Sequence, residues 1–196
     1  MKGISMEKFK LPETINAERI VLIRRNHEHD KQIWQAIEES RQFVREFLFW
    51  VDNQKCFEDT VKATDQFAKE WDEDKEWAYD IFTIADFKFV GCVGPHNIEF
   101  INQSAELGYW LRLSETRKGY MHEAVLALEK ELFKAGMHRI TICCDVNNMN
   151  SANVAKKAGY TLESVAKEAT YHYTGLKDKA TYVKFSPYPI KGFEVK

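Results

Sequence analysis

Long apolar runs are missing from this chain of 196 residues: stretches such as Phe47-Leu48-Phe49-Trp50-Val51 are only a few residues long. A membrane-spanning helix needs roughly 18 or more, so no membrane partner is expected. A surplus of either charge is missing too, with 28 Lys and Arg against 30 Asp and Glu. No global basic field draws the chain to nucleic acid, and direct nucleic-acid binding is not expected without a local patch. There is no C-x-x-C pair among the four cysteines. Cys56 and Cys92 are isolated and Cys143-Cys144 is vicinal, so all four read as reduced, mostly buried thiols, the vicinal two on opposite faces of a strand. Residues Met1 to Met6 carry neither the apolar core nor the cleavage site of a secretion signal, which makes the cytoplasm the expected location. Internal repeats, low-complexity tracts and a Pro/Gly/Ser-rich linker are all absent, which points to one domain.

What is present is enough to build a sizeable core: 44% apolar residues, with aromatics at 13% of the chain. Glu18 to Arg24, after a Pro12-containing lead-in, reads as a strand. Apolar residues at helical spacing predict two amphipathic helices, Asp30 to Phe49 and Phe57 to Trp71. The charged stretch Trp71 to Glu76 reads as a solvated helix end rather than an amine-attracting site. Trp77 to Ile84, Phe87 to Val93 and Ala105 to Leu113 read as an antiparallel meander, with turns at Asp86 and at Gly94-Pro95-His96-Asn97. Met121, Val125, Leu128 and Leu132 mark a helix between Gly119 and Gly136. A strand from His138 to Cys144 follows, then a short helix from Ser151 to Ala158. Leu162 to Tyr173 and Ala180 to Phe185 form a terminal hairpin around Thr174 to Asp178. The fold class is α+β.

Two segments could carry chemistry. Leu111 to Met121 passes from a strand through a basic, glycine-bearing loop into a helix N-terminus, where free backbone N–H groups, Gly119, Arg117 and Lys118 suit a phosphate; a structural turn is the alternative. Asn147-Asn148-Met149-Asn150-Ser151 precedes a helix and holds more polar groups than one cap needs. His27 and His29, without further ligands at metal spacing, read as exposed loop residues, and no metal is expected. The aromatics Trp50, Tyr109, Trp110 and Tyr171 either line an acceptor pocket or belong to the core.

Taken in order, Glu18 to Leu22, Ala105 to Leu111, Arg117 to Ala124, and Asn148 to Ser151 with Lys157 to Tyr160 resemble the GNAT superfamily of N-acetyltransferases, in its ribosomal-protein N-acetyltransferase (RimJ/RimL-type) branch. The resemblance implies a GNAT domain over residues 13–186, with 1–12 as lead-in and 187–196 as tail, and a mostly antiparallel mixed sheet splayed near the cofactor. It also implies acetyl-CoA as cosubstrate. The family's pyrophosphate loop falls on Thr116 to Met121, placing Arg117, Lys118, Gly119, Tyr120 and Met121 at the cofactor, although Thr116 and Met121 depart from its usual residues. The preceding strand, Trp110, Leu111, Arg112 and Leu113, is implied to pair with the pantetheine arm, and Asn148 and Asn153 to assist. Glu106 matches a base on the site-forming strand, or is a solvent-facing residue there. The tyrosine many GNAT enzymes use as acid is replaced by Ala155, and in this branch the proton donor matches Ser151, which could equally be a helix cap. The implied acceptor is an amine, a protein N-terminus or else a small molecule, and a non-catalytic CoA-binding module is a further alternative. The terminal hairpin offers an edge through which two copies could pair as a homodimer.

Overall fold

The computed structural model describes residues 10–172 and 174–190. Tyr173, the start of the lead-in and the end of the tail lie outside the described residues. The strands are β1 (Thr14–Asn16), β2 (Ile20–Arg24), β3 (Tyr79–Thr83), β4 (Phe89–Glu99), β5 (Ser104–Leu111), β6 (Arg139–Asp145), β7 (Thr161–His172) and β8 (Gly175–Phe185). Four helices, α1 (Asp30–Arg45), α2 (Phe57–Asp72), α3 (Tyr120–Ala135) and α4 (Met149–Lys157), interrupt them. All eight strands join one sheet in the order β1-β2-β3-β4-β5-β6-β8-β7. The β5–β6 pair alone is parallel, and the other described ladders are antiparallel. The expected α+β class and element order hold, with β1 added at the edge.

Strand alternation sends side chains to opposite faces, and each face has its own core. On one face Leu107, Tyr109 and Leu111 of β5 and Ile140 and Ile142 of β6 pack with Met121, Val125 and Leu128 of α3. On the other, Val21, Phe82, Phe89, Cys92 and Trp110 pack with Ile33, Ile37 and Val44 of α1. The apolar stripes of the two helices are thus buried by opposite faces of one sheet.

Three expectations need correction. The segment Gly94 to Asn97 is not a turn but the middle of β4, and the reversal lies instead after Glu99. Pro95 is tolerated there because its carbonyl, on the same side of the strand as its missing N–H, accepts from Trp77 N just beyond the last β3–β4 pair, Tyr79 with Val93. The first helix stops at Arg45 rather than Phe49, and a 3-10 turn, Phe49–Asn53, follows. Arg41 secures that turn, donating from Nη1 to Val51 O at 2.7 Å and from Nη2 to Gln54 O at 2.6 Å. Finally, β8 starts at Gly175, so the terminal turn is tighter than Thr174 to Asp178.

Candidate active site

The parallel ladder between β5 and β6 is short: Ser104, Ala105 and Glu106 pair with Arg139, Ile140 and Thr141, and no further residues do. Beyond Glu106 the two strands diverge, β5 continuing along β4 to Leu111 while β6 follows β8 to Asp145. Arg112 N donates to Val90 O at 2.8 Å, so the amides of Trp110 and Gly108 also turn toward β4. By the same alternation Leu107, Tyr109 and Leu111 present their N–H and C=O groups to the opening. An extended ligand laid there would meet strand-like partners.

The opening ends at the loop before α3. A 3-10 turn, Leu113–Glu115, leads into Arg117 at φ 63° and Gly119 at φ 86°, both left-handed. Gly119 suits that backbone, while Arg117 is held in it against its preference. Thr116 N still bonds Leu113 O, and Glu123 N bonds Gly119 O. Between them the amides of residues 117–122 donate to no described residue, so six consecutive N–H groups are left without a partner through the loop and the first turn of α3, at the positive end of its dipole. The loop is braced from β2's side: Arg19 binds Glu123 from Nε at 2.8 Å and donates from Nη1 to Lys118 O at 3.0 Å. Lys118 is paired with the buried Glu115 at 2.8 Å, which Lys88 also contacts. Burial pushes the Glu115 carboxyl up, but the two lysines outweigh it and hold it below the usual range. Arg117 is exposed and has no hydrogen bond or ion pair among the described residues.

At the far strand, α4 begins two residues earlier than expected. Asn148 is its cap, its Oδ1 accepting from Ser151 N at 3.1 Å. Ser151 therefore is not the cap but stands at the third helical position, with a hydroxyl free for other work. That hydroxyl lies 3.0 Å from the phenol of Tyr109, which also reaches Ser151 O at 3.3 Å, bridging β5 and α4 across the opening. Burial raises the Tyr109 pKa strongly, so the phenol stays protonated as a donor. Cys144 shares this corner, its thiol raised by burial, while Cys143 turns to the other face beside Thr181 Oγ1 at 3.6 Å. Asn153 lies on the exposed side of α4.

Glu106 occupies the vertex of the opening, on the sheet face opposite Tyr109. Asn97 Nδ2 donates to its Oε2 at 3.4 Å, and His96 Nε2 stands 3.9 Å from Oε1. A Cβ at position 108 would come within 3.1 Å of the His96 ring, so the glycine there makes room for the imidazole. The same face holds a cavity of about 520 Å³, lined by Trp50, Phe67, His96 and Trp110 and by the charged Arg25, Glu70 and Glu76. Desolvation first, and then the charge of Glu70, lift the Glu76 carboxyl to about 7.

The structure thus gathers Glu106, Leu111, Arg117, Gly119, Tyr120, Met121, Asn148 and Ser151 around one opening. Others of the expected set face elsewhere. Trp110 packs on Phe89 and Trp50 at 5.8 and 5.6 Å between ring centroids. Arg112 donates to Glu39 Oε2 from Nε at 2.6 Å, holding that carboxyl down to about 2, and Leu113 N donates to Ser40 Oγ at 2.8 Å. These contacts tie β5's end to α1. His29 is not an exposed loop residue either: it is buried, with Nδ1 2.7 Å from Asp80 Oδ2. Tyr109 was legible only as pocket or core, nothing in the sequence marked Arg25, and Glu76, expected to belong to a solvated helix end, instead lines the cavity with its carboxyl raised by burial.

Comparison with known proteins agrees with this geometry. The chain matches the acetyltransferase (GNAT) domain family over residues 19–161. It is 27% identical to the ribosomal-protein-serine acetyltransferase of Escherichia coli (strain K12) over 157 residues, covering 80% of this chain and 87% of the relative. RimL, a ribosomal L7/L12 alpha-N-protein acetyltransferase solved in complex with coenzyme A, superposes with a TM-score of 0.84 at 26% identity, covering 88% of this chain and 98% of its own. An acetyl transferase from Salmonella typhimurium, described as modifying the N-terminal serine of the same ribosomal protein, superposes at 0.80 with 26% identity, over 88% of this chain and 99% of that one.

Proposed function

The chain belongs to the GNAT acetyltransferase family, and from that premise we propose that it transfers an acetyl group from acetyl-CoA directly to the α-amine of a protein N-terminus. The six unpaired amides of residues 117–122 are the observation that carries the cofactor reading. They fit a pyrophosphate, with Arg117 adding an unpaired positive charge, and the β5 edge at Tyr109 and Leu111 fits an amide-bearing arm. Acetyl-CoA supplies the acetyl group already activated as a thioester. The acceptor reading rests on relatives named for protein N-termini and on the cavity that adjoins the vertex.

The residues divide the proton work between the two sheet faces. An α-amine has a pKa of roughly 7.7–8.0, so a sizeable fraction is neutral near pH 7 and a weak base is sufficient. Glu106, at the vertex and on the cavity's face, takes the amine's proton directly or through water. Ser151, on the other face, gives its hydroxyl proton to the departing thiolate and regains one from solvent in the opening, while Glu106 releases the amine's proton to solvent. Tyr109 fixes the rotamer of Ser151 and is a positioning residue. Asn148 holds the N-terminus of α4 and keeps Ser151 free of that duty.

Incubating the protein with acetyl-CoA and a peptide of free N-terminus, followed by mass spectrometry, tests the reading. Acetylation is expected at the α-amine, with an N-terminally blocked peptide unmodified. Transfer confined to small amines would overturn the acceptor class. A thermal shift with acetyl-CoA but no acetylated product from any amine would favour a CoA-binding module without catalysis.

A further inference from the structure

Arg25 is only 8% exposed, yet it is not paired like an ordinary buried arginine. Its Nε donates to Thr64 Oγ1 at 3.1 Å, Thr64 in turn donates to Asp30, and the guanidinium lies over Phe67 at 4.9 Å. No described acceptor takes its two terminal amino groups, and the residue lines the 520 Å³ cavity. Those amino groups are not among the fully buried unpaired atoms, so they open into the cavity, where the carbonyl of a ligand can take the place of water. Across the same cavity stand Glu70, whose Oε1 accepts from Gln66 Nε2 at 2.6 Å, and Glu76, which bonds no described side chain.

We propose that Arg25, with Glu70 and Glu76, forms a subsite that grips the peptide backbone of the acceptor beyond its first residue. This rests on the acceptor reading above and says which part of the acceptor is read. Pairing supplies the distance. Tyr109 is opposite Val93, Val93 opposite Tyr79, and Tyr79 opposite Arg24, next to Arg25. Three strand spacings of about 4.8 Å place Arg25's backbone ~14 Å from Tyr109. That separation is the reach of about four extended residues at ~3.4 Å each, and fewer to the extent that the arginine side chain covers part of it. A peptide group matches the site because it is neutral and double-ended: its C=O accepts from the guanidinium, and its N–H donates to a carboxyl. An acidic side chain in the same place meets Glu70 and Glu76 and is disfavoured. The aromatic walls from Trp50 and Phe67 cover the apolar remainder.

A length series tests this: an amino-acid amide, then dipeptide, tripeptide and tetrapeptide amides, all with free α-amines. The expected kcat/KM rises about tenfold or more from one residue to three, the scale of a charge-assisted hydrogen bond. Arg25→Gln is expected to flatten the rise, so that long and short acceptors converge, and Arg25→Lys to restore part of it. Glu76→Gln, which keeps the pocket's shape, provides an independent reading if Arg25 variants do not fold, and is expected to lower the gain severalfold. A flat series in the unaltered protein, or an equal loss at every length in the variants, would overturn the subsite while leaving the acetyltransferase intact. Failure to acetylate any α-amine would overturn the acceptor reading itself, and the subsite with it.

Discussion

The two faces of the central sheet meet at the same opening but are built from different material. On the α3 face, the proposed cofactor groove consists mostly of backbone: the amides of residues 117–122 and the β5 edge at Tyr109 and Leu111. On the α1 and α2 face, the cavity is made of side chains, with Arg25 after β2, Glu70 from α2, Glu76 after it, His96 from β4 and Trp50 from the 3-10 turn. Backbone groups are the same whatever the residue, so the proposed groove is expected to tolerate Thr116 and Met121, where the family resemblance implies other residues. A side-chain cavity has no such tolerance. This difference predicts that the groove is sensitive to conformation and the cavity to chemistry.

The largest effect is expected at the boundary of the two. Ser151→Ala removes the proposed proton donor but not the α4 cap, which Asn148 supplies, so kcat should fall about a hundredfold or more while the protein stays as stable as before. Stopped turnover together with a matching loss of stability would return Ser151 to a structural role. On the groove side, Gly119→Ala forces a Cβ onto a residue at φ 86°, 3.3 Å from Arg19 Nη2. Acetyl-CoA affinity, read by titration calorimetry, is expected to drop about tenfold, with roughly 1 kcal/mol of stability lost. Unchanged affinity would show that the amide cradle does not hold the phosphates.

On the cavity side, chemistry alone should matter. The Glu76 carboxyl is lifted from 4.5 to about 7 by burial and by Glu70. Its folded-state pKa is the higher one, so it weakens the fold as pH rises from 4.5 through 7 and imposes its full cost above that. Glu76→Gln should therefore raise the melting temperature at pH 8, by the equivalent of about 1 kcal/mol after screening, and leave it unchanged near pH 4.5. A constant difference at all pH values would contradict the buried environment. The smallest effect belongs to the strut joining β5 to α1. Arg112 holds Glu39 down to about 2, so the pair's contribution is complete above pH 4.5 and fades as pH falls toward 2. Glu39→Gln is expected to cost about 0.5 kcal/mol in urea unfolding at pH 7, and progressively less in acid.

Legibility in the sequence follows the same division. The strand, basic loop and helix from Ala105 to Gly136 could be read because each feature is local: alternation, a glycine at each helix end, a 3.6-residue stripe. The asparagine-rich segment was visible too, but not which residue capped the helix. One cap position separates Ser151 as a cap from Ser151 as a free hydroxyl, and only the hydrogen bond from its amide to Asn148 decides between them. Pro95 misled for a similar reason. A proline between two apolar runs reads as a turn unless a neighbouring strand is known to have ended beside it.

By itself, then, the sequence determined the α+β order and marked the basic loop and the asparagine-rich segment, because periodicity and turn chemistry are properties of neighbouring residues, while the candidate pair Glu106 and Ser151 came only through the family resemblance. The tertiary structure alone decided that Glu106 lies at the vertex and on the other face from Ser151, that Tyr109 spans the gap to hold that serine, and that Arg25, Glu70 and Glu76 share one cavity. Those relations depend on strand register and on which face each helix covers. Register is set by burial of whole apolar faces across distant segments, and no local pattern carries it.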